Sequence, residues 1–118
     1  MMSSLFIAAA ALAVQGVPPA PVPAGTVIRS EANGALEGYL LTPAGKAKAT
    51  MLIIPGSGPT DRDGNNPIGI KAAPYRKLAE ALVTRGVATL RIDKRGMFGS
   101  KAAGNPNEAT FADYDGDV

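Results

Sequence analysis

The chain contains no cysteine and no histidine in its 118 residues. Without cysteine there can be no disulfide, zinc-thiolate site, thiol nucleophile or bacterial lipid anchor, and the redox compartment stays open. The lack of histidine excludes more, because imidazole is the usual general base in nucleophilic catalysis and the commonest metal ligand. A large charge surplus is missing too: 12 basic and 10 acidic side chains leave a net charge of +2. No basic run exceeds two residues, so the electrostatic footprint of a nucleic-acid binder is absent and no nucleic-acid partner is expected. The chain is one domain at most.

Long apolar runs are scarce as well. Leu5 to Val14 is uninterrupted for ten residues, too short for a bilayer core of about 30 Å but the length of a signal-peptide h-region. No stable membrane span is therefore expected. The run carries Ala11-Leu12-Ala13, a small-x-small pattern that a signal peptidase could cut, although no Lys or Arg precedes it. Residues 1–16 are read as a signal peptide, which makes the protein exported, periplasmic or secreted. Residues 17–25, with Pro18, Pro19, Pro21 and Pro23, are read as a Pro-rich linker that cannot join a helix. Residues 26–118 are left to fold.

From Thr26 the pattern is that of strands. Two runs near 26–31 and 36–42 flank Asn33-Gly34, a strong hairpin signal, and predict an antiparallel pair. Thr50 to Ile54 is almost continuously apolar and predicts a strand buried on both faces of a parallel sheet. Tyr75, Leu78, Ala79, Leu82 and Val83 make one apolar helical stripe, with Pro74 as a first helical residue and Gly86 as the C-terminal stop. "VATLRID" is a further strand, followed by the loop "KRGMFGS". Strand, loop, helix and strand in this order make a parallel βαβ unit behind an antiparallel front hairpin, so the fold class is α/β. The final "TFADYDGDV" opens either a helix or a loop.

The stretch with most chemical character is "PGSGPTDRDGNNP", residues 55–67. Glycines running into charges after a buried strand present backbone N–H groups to something negative: a phosphate, an ion site or an oxyanion. A P-loop needs a Lys-Ser or Lys-Thr pair that is lacking here, and a dinucleotide fingerprint needs the helix to open at once. Asp61, Asp63 and Asn65 alternate as calcium ligands do, but Asn66 and Ala72 stand where glycine and glutamate are required. Asp113, Asp115 and Asp117 also alternate, a pattern that fits an acidic helix start better than a metal site. The oxyanion remains: Gly56 and Gly58 let the backbone approach a reacting group, and Ser57 or Gly58 can present an N–H.

"LIIPGSGPTDRDGN" together with "TLRIDKRGMFGS" resembles the α/β-hydrolase superfamily, in particular its exported esterase-like and serine-aminopeptidase-like branch, over about residues 36–118. The resemblance implies a serine hydrolase that cleaves an ester, thioester or amide of a small-molecule acyl substrate through an acyl-enzyme, with no cofactor and no metal. It implies that the backbone N–H of Ser57 is an oxyanion-hole donor, with Gly58 the near alternative and Gly56 shaping the loop. Asp93, Arg95 and Gly96 match the family's bracing loop after the fourth strand, and Arg62 and Asp63 match a polar pair expected to hold the two loops together. Relatives often carry histidine where this chain has Pro55; that residue shapes the loop and is not the catalytic one.

The family's nucleophile lies on G-x-S-x-G, followed by an acid and a histidine. No serine here has that frame, so the chain holds no nucleophile and no complete triad. In the family's sheet the third strand lies between the fourth and the fifth, which would leave residues 49–54 as a bare apolar edge, an aggregation hazard unless paired. The expectation is an incomplete α/β-hydrolase sheet, the N-terminal part of an enzyme that is inactive alone and needs a C-terminal half. A non-catalytic binding module that uses the free strand edge is the alternative.

Overall fold

The computed structural model describes residues 20–31 and 34–118. Residues 1–16, read above as a signal peptide, lie outside the described residues. Residues 20–25 carry neither helix nor strand, and the linker is tied to the sheet where Gly25 N–H donates to Tyr39 Oη at 3.2 Å.

Four strands form one mixed sheet in the order β1-β2-β4-β3. β1 (Thr26–Ser30) and β2 (Leu36–Leu41) are the expected antiparallel hairpin, in register from Thr26 opposite Leu40 to Ser30 opposite Leu36. Asn33 of the turn lies outside the described residues, while Gly34 sits at a φ of 73° in the left-handed region that favours glycine. β4 (Val87–Ile92) pairs antiparallel with β2 and parallel with β3 (Ala49–Ile53). The helix α1 (Pro74–Val83) crosses from β3 to β4, so the βαβ unit is present and the domain is α/β.

The stripe on α1 is only partly used. Ala79 and Val83 are buried with Leu41 of β2 and Ile53 of β3, and Tyr75 packs against this cluster. Leu78, expected on the buried stripe, is 47% exposed. The helix packs chiefly on β4 and touches β2, so the outer part of its apolar face has no sheet beneath it. Its ends are stopped as expected: Pro74 is in the first turn, Gly86 has a φ of 85°, and Arg85 Nη1 donates to the C-terminal carbonyl of Ala81 at 2.8 Å.

β3 also departs from expectation. It reads as buried on both faces, but only Ile53 is buried, while Met51 and Leu52 stand 41% and 39% exposed. The cause is position: β3 ends the sheet with one neighbour, and α1 covers mainly that neighbour. Among the described residues no strand pairs with its far edge, which lies beside apolar side chains, the combination that invites another strand. Beyond β4, a short 3-10 segment (Phe98–Ala103) leads to α2 (Phe111–Gly116), opened by a capping box between Thr110 and Asp113. Among the described residues no helix is long and apolar enough to cross a membrane.

The core is small and contains two positions where loss and tolerance should contrast. Val83→Ala removes two buried methyls and should cost about 2 kcal/mol, whereas Leu78→Ala should change stability by less than about 0.5 kcal/mol. Urea unfolding of both variants checks the contrast; a Leu78 cost equal to that of Val83 would mean that the whole stripe is buried.

Candidate functional site

The loop from Pro55 to Pro67 is folded on itself before it touches anything else. Asp61 Oδ1 accepts from the N–H of Asp63 at 2.9 Å and of Asn65 at 2.8 Å, an Asx-type closure. Asn65 Oδ1 accepts from Ala73 N–H at 2.9 Å, and the carbonyl of Asp63 accepts from Tyr75 N–H at 3.1 Å. Those last two bonds seat the loop on the start of α1, whose Ala73 cap has no side-chain acceptor of its own. The alternating Asp61, Asp63 and Asn65 therefore face backbone and arginine partners. Among the described residues no group of three or more acidic side chains is arranged to hold a metal ion.

Arg62 joins the loop to the sheet. Its backbone N–H donates to Asp93 Oδ1 at 2.8 Å, and its Nη1 donates to Glu37 Oε1 at 2.8 Å with Asp93 Oδ2 at 3.6 Å. Glu37 turns its other oxygen to Arg29 of β1 at 2.7 Å. Since Arg29 is largely exposed, its share of the pairing is worth less than that of the better-covered Arg62. Asp63 does not reach the loop after β4 but pairs with Arg91 inside that strand at 2.5 Å. The Arg91 guanidinium also lies 5.2 Å from the centre of the Tyr39 ring, a cation–π distance.

The loop after β4 is closed from the other side. Buried Ser100 donates from Oγ to the carbonyl of Asp93 at 2.7 Å and accepts from Glu37 N–H at 2.8 Å. Gly96, at a φ of 75°, leaves no room for a Cβ against the Gly104 carbonyl and Pro106. Arg95 turns away from Asp93, bonding Asp117 at 2.5 and 3.1 Å and the Ala103 carbonyl at 2.8 Å. It ties α2 to this loop and does not brace the loop of residues 55–67.

Two carboxylates in this network titrate in opposite senses. The guanidinium groups of Arg29 and Arg62 hold Glu37 below the ordinary carboxylate range. Burial pushes Asp93 up, and the N–H of Arg62 with its guanidinium only partly offsets that.

Where β3 and β4 end, Gly56, Ser57 and Gly58 border an open cleft of about 910 Å³ whose walls include Leu36, Ile54, Ile92, Met97 and Phe111. Gly58 has a φ of 78° and nothing within 4 Å of where a side chain would begin. Neither Ser57 N–H nor Gly58 N–H meets a protein acceptor among the described residues. The structure thus brings Ser57, Gly58, Lys94 and Arg95 to one cleft, while Arg62, Asp63 and Asp93 are not among its walls. Sequence reasoning missed Glu37, Arg91, Lys94 and Ser100. A charge inside an otherwise apolar strand is the signal that Glu37 and Arg91 offered; Lys94 and Ser100 offered none. No protein-family model matches the chain, and no curated protein matches it.

The network predicts a pH signature. Glu37 has a depressed folded-state value, so its stabilisation is present above the unfolded value and is lost as pH falls through the folded one. Asp93 has a raised value, so it contributes the other way and costs stability as pH rises through its folded value. Glu37→Gln should lower the neutral-pH plateau by roughly 2 kcal/mol and flatten its acid limb, while Asp93→Asn should steepen the fall of stability toward acid. Denaturant unfolding across the acid range checks both; parallel curves for wild type and Glu37→Gln would contradict the assignment.

Proposed function

We propose that the chain is the N-terminal part of an exported serine hydrolase of the α/β-hydrolase superfamily, esterase-like or aminopeptidase-like, and that it supplies one side of the oxyanion hole. One observation carries the reading: strand order β1-β2-β4-β3 puts the glycine loop at the carboxyl end of β3 beside the loop after β4. Ligands of open α/β sheets bind at such strand ends. The free edge of β3 is also where the resemblance would seat the family's next strand, the one that leads to the nucleophile.

In this reading an acyl substrate lies in the apolar cleft. As a serine supplied by the C-terminal part attacks the carbonyl, the developing oxyanion accepts from Ser57 N–H, with Gly58 N–H as the alternative. A donor of this kind is worth about a hundred- to a thousand-fold in turnover. The Ser57 hydroxyl is not assigned the nucleophile's part, because Ser57 lacks the G-x-S-x-G frame. Arg62, Asp63 and Asp93 hold the loop in shape, and no cofactor is needed.

A second reading is favoured by one observation, the exposure of Met51 and Leu52 along an unpaired strand edge. In it the chain is a non-catalytic module that recruits a partner by strand addition. A monodisperse, cooperatively unfolding monomer supports that module; an insoluble chain that becomes soluble when co-expressed with the coding sequence downstream supports the hydrolase part.

The purified 118-residue chain should show no hydrolysis of a p-nitrophenyl ester that a serine-directed inhibitor abolishes. Robust inhibitor-sensitive turnover by this chain alone would falsify the assignment of the nucleophile to another segment.

A further inference from the structure

One side chain that the sequence left unremarked grips the glycine loop from below. Lys94 Nζ donates to the carbonyls of Gly56 and Gly58, each at 2.6 Å, and forms no ion pair among the described residues. The charged side chains sharing its cleft are Arg95, Asp115 and Asp117, and the Tyr114 phenol and Val118, which bears the α-carboxyl of the 118-residue chain, line it as well; Asp117 is engaged by Arg95. Burial lowers the Lys94 pKa from the ordinary lysine value, as expected of an ammonium whose compensation comes from carbonyl dipoles alone.

The peptides of this loop are trans, and in a trans peptide the C=O and the following N–H point in opposite directions. Drawing the Gly56 carbonyl onto Lys94 therefore turns the Ser57 N–H away from the ammonium and fixes its direction. The second gripped carbonyl, Gly58, belongs to a peptide whose nitrogen is Pro59 and has no N–H, so that bond anchors the loop without aiming a donor. The Gly58 N–H shares its peptide with the Ser57 carbonyl, which Lys94 does not hold.

We infer that Lys94 is a positioning residue that makes Ser57 N–H, and not Gly58 N–H, the directed donor of the loop. The catalytic meaning of that donor rests on the oxyanion reading above; the grip itself does not. A cation on the carbonyl also polarises the amide and strengthens its N–H as a donor.

Nitrogen-15 relaxation tests the grip, on the 118-residue chain where it is soluble alone and otherwise on the same chain isotope-labelled in its co-expressed, soluble form. The Ser57 order parameter should be about 0.85 in the native chain and fall below about 0.6 in Lys94→Met, with the β4 amides unchanged. Lys101→Met, at an exposed lysine, should leave Ser57 ordered. In a pH titration the carbonyl carbon shifts of Gly56 and Gly58 should follow the Lys94 side chain with one midpoint, below the ordinary lysine value. An ordered Ser57 in Lys94→Met, or glycine carbonyls that ignore the Lys94 titration, overturns the inference even if the complete protein proves to be a hydrolase. A loosened Ser57 upholds the inference even if no hydrolase activity is found, and only the catalytic reading is then lost.

Discussion

The guanidinium of Arg62 stands between two carboxylates that would otherwise be left in poorly solvated positions, and the rest of the candidate site follows from that arrangement. Glu37 and Asp93 are 8% and 2% exposed. Unpaired charges at such positions are costly, and breaking one fully buried pair costs about 3–5 kcal/mol. Arg62 is itself 24% exposed on its side chain, so the cost here is smaller. What makes the contact structural is that Arg62 also binds Asp93 through its backbone N–H. Side chain and main chain together fix the loop after β3 against the end of β4.

From that junction the constraints run outward. Ser100 locks the backbones of Glu37 and Asp93 together, so β2, β4 and the 3-10 segment meet at one point. Asp63, next to Arg62, reaches Arg91 and places its carbonyl on the first turn of α1. The loop is thus held at its charged half by side-chain pairs and at its glycine half by Lys94. Between those anchors, the N–H groups of Ser57 and Gly58 meet no protein acceptor among the described residues. A loop anchored at both halves with such donors between them is what the oxyanion reading proposed above requires.

Much of the architecture was legible in the sequence because it rests on local chemistry. The Asn33-Gly34 turn signal, the proline opening α1, the glycine closing it and Asp113 in the first turn of α2 each act within a few residues, whereas Asp117, read with Asp113 and Asp115 as an acidic helix start, caps the far end of α2. What was not legible depended on neighbours. The apolar character of residues 50–54 announced a strand, and the resemblance put it at a bare edge of the sheet, where β3 stands; neither foretold that its side chains would be exposed, and Leu78 obeyed the helical period with no sheet below it. In the site, Arg62 and Asp63 were expected to join the two loops; Arg62 reaches Asp93, but Asp63 pairs with Arg91 inside β4, and Arg95 of the second loop pairs with Asp117 at the end of α2. Like residues with like charges can satisfy one another in several ways, and spacing along the chain does not choose between them.

The direct measurement of this arrangement is amide hydrogen exchange in an Arg62→Met variant, which removes the charge and keeps the length of the side chain. The amides of Gly64, Asn65 and Ala73, which are bonded only within the loop or to its own side chains, should exchange about ten-fold or more faster, while those of β2 and β4 keep their protection. Unchanged protection in the loop, with wild-type stability, would show that it stands without Arg62 and would contradict the central place given to that residue.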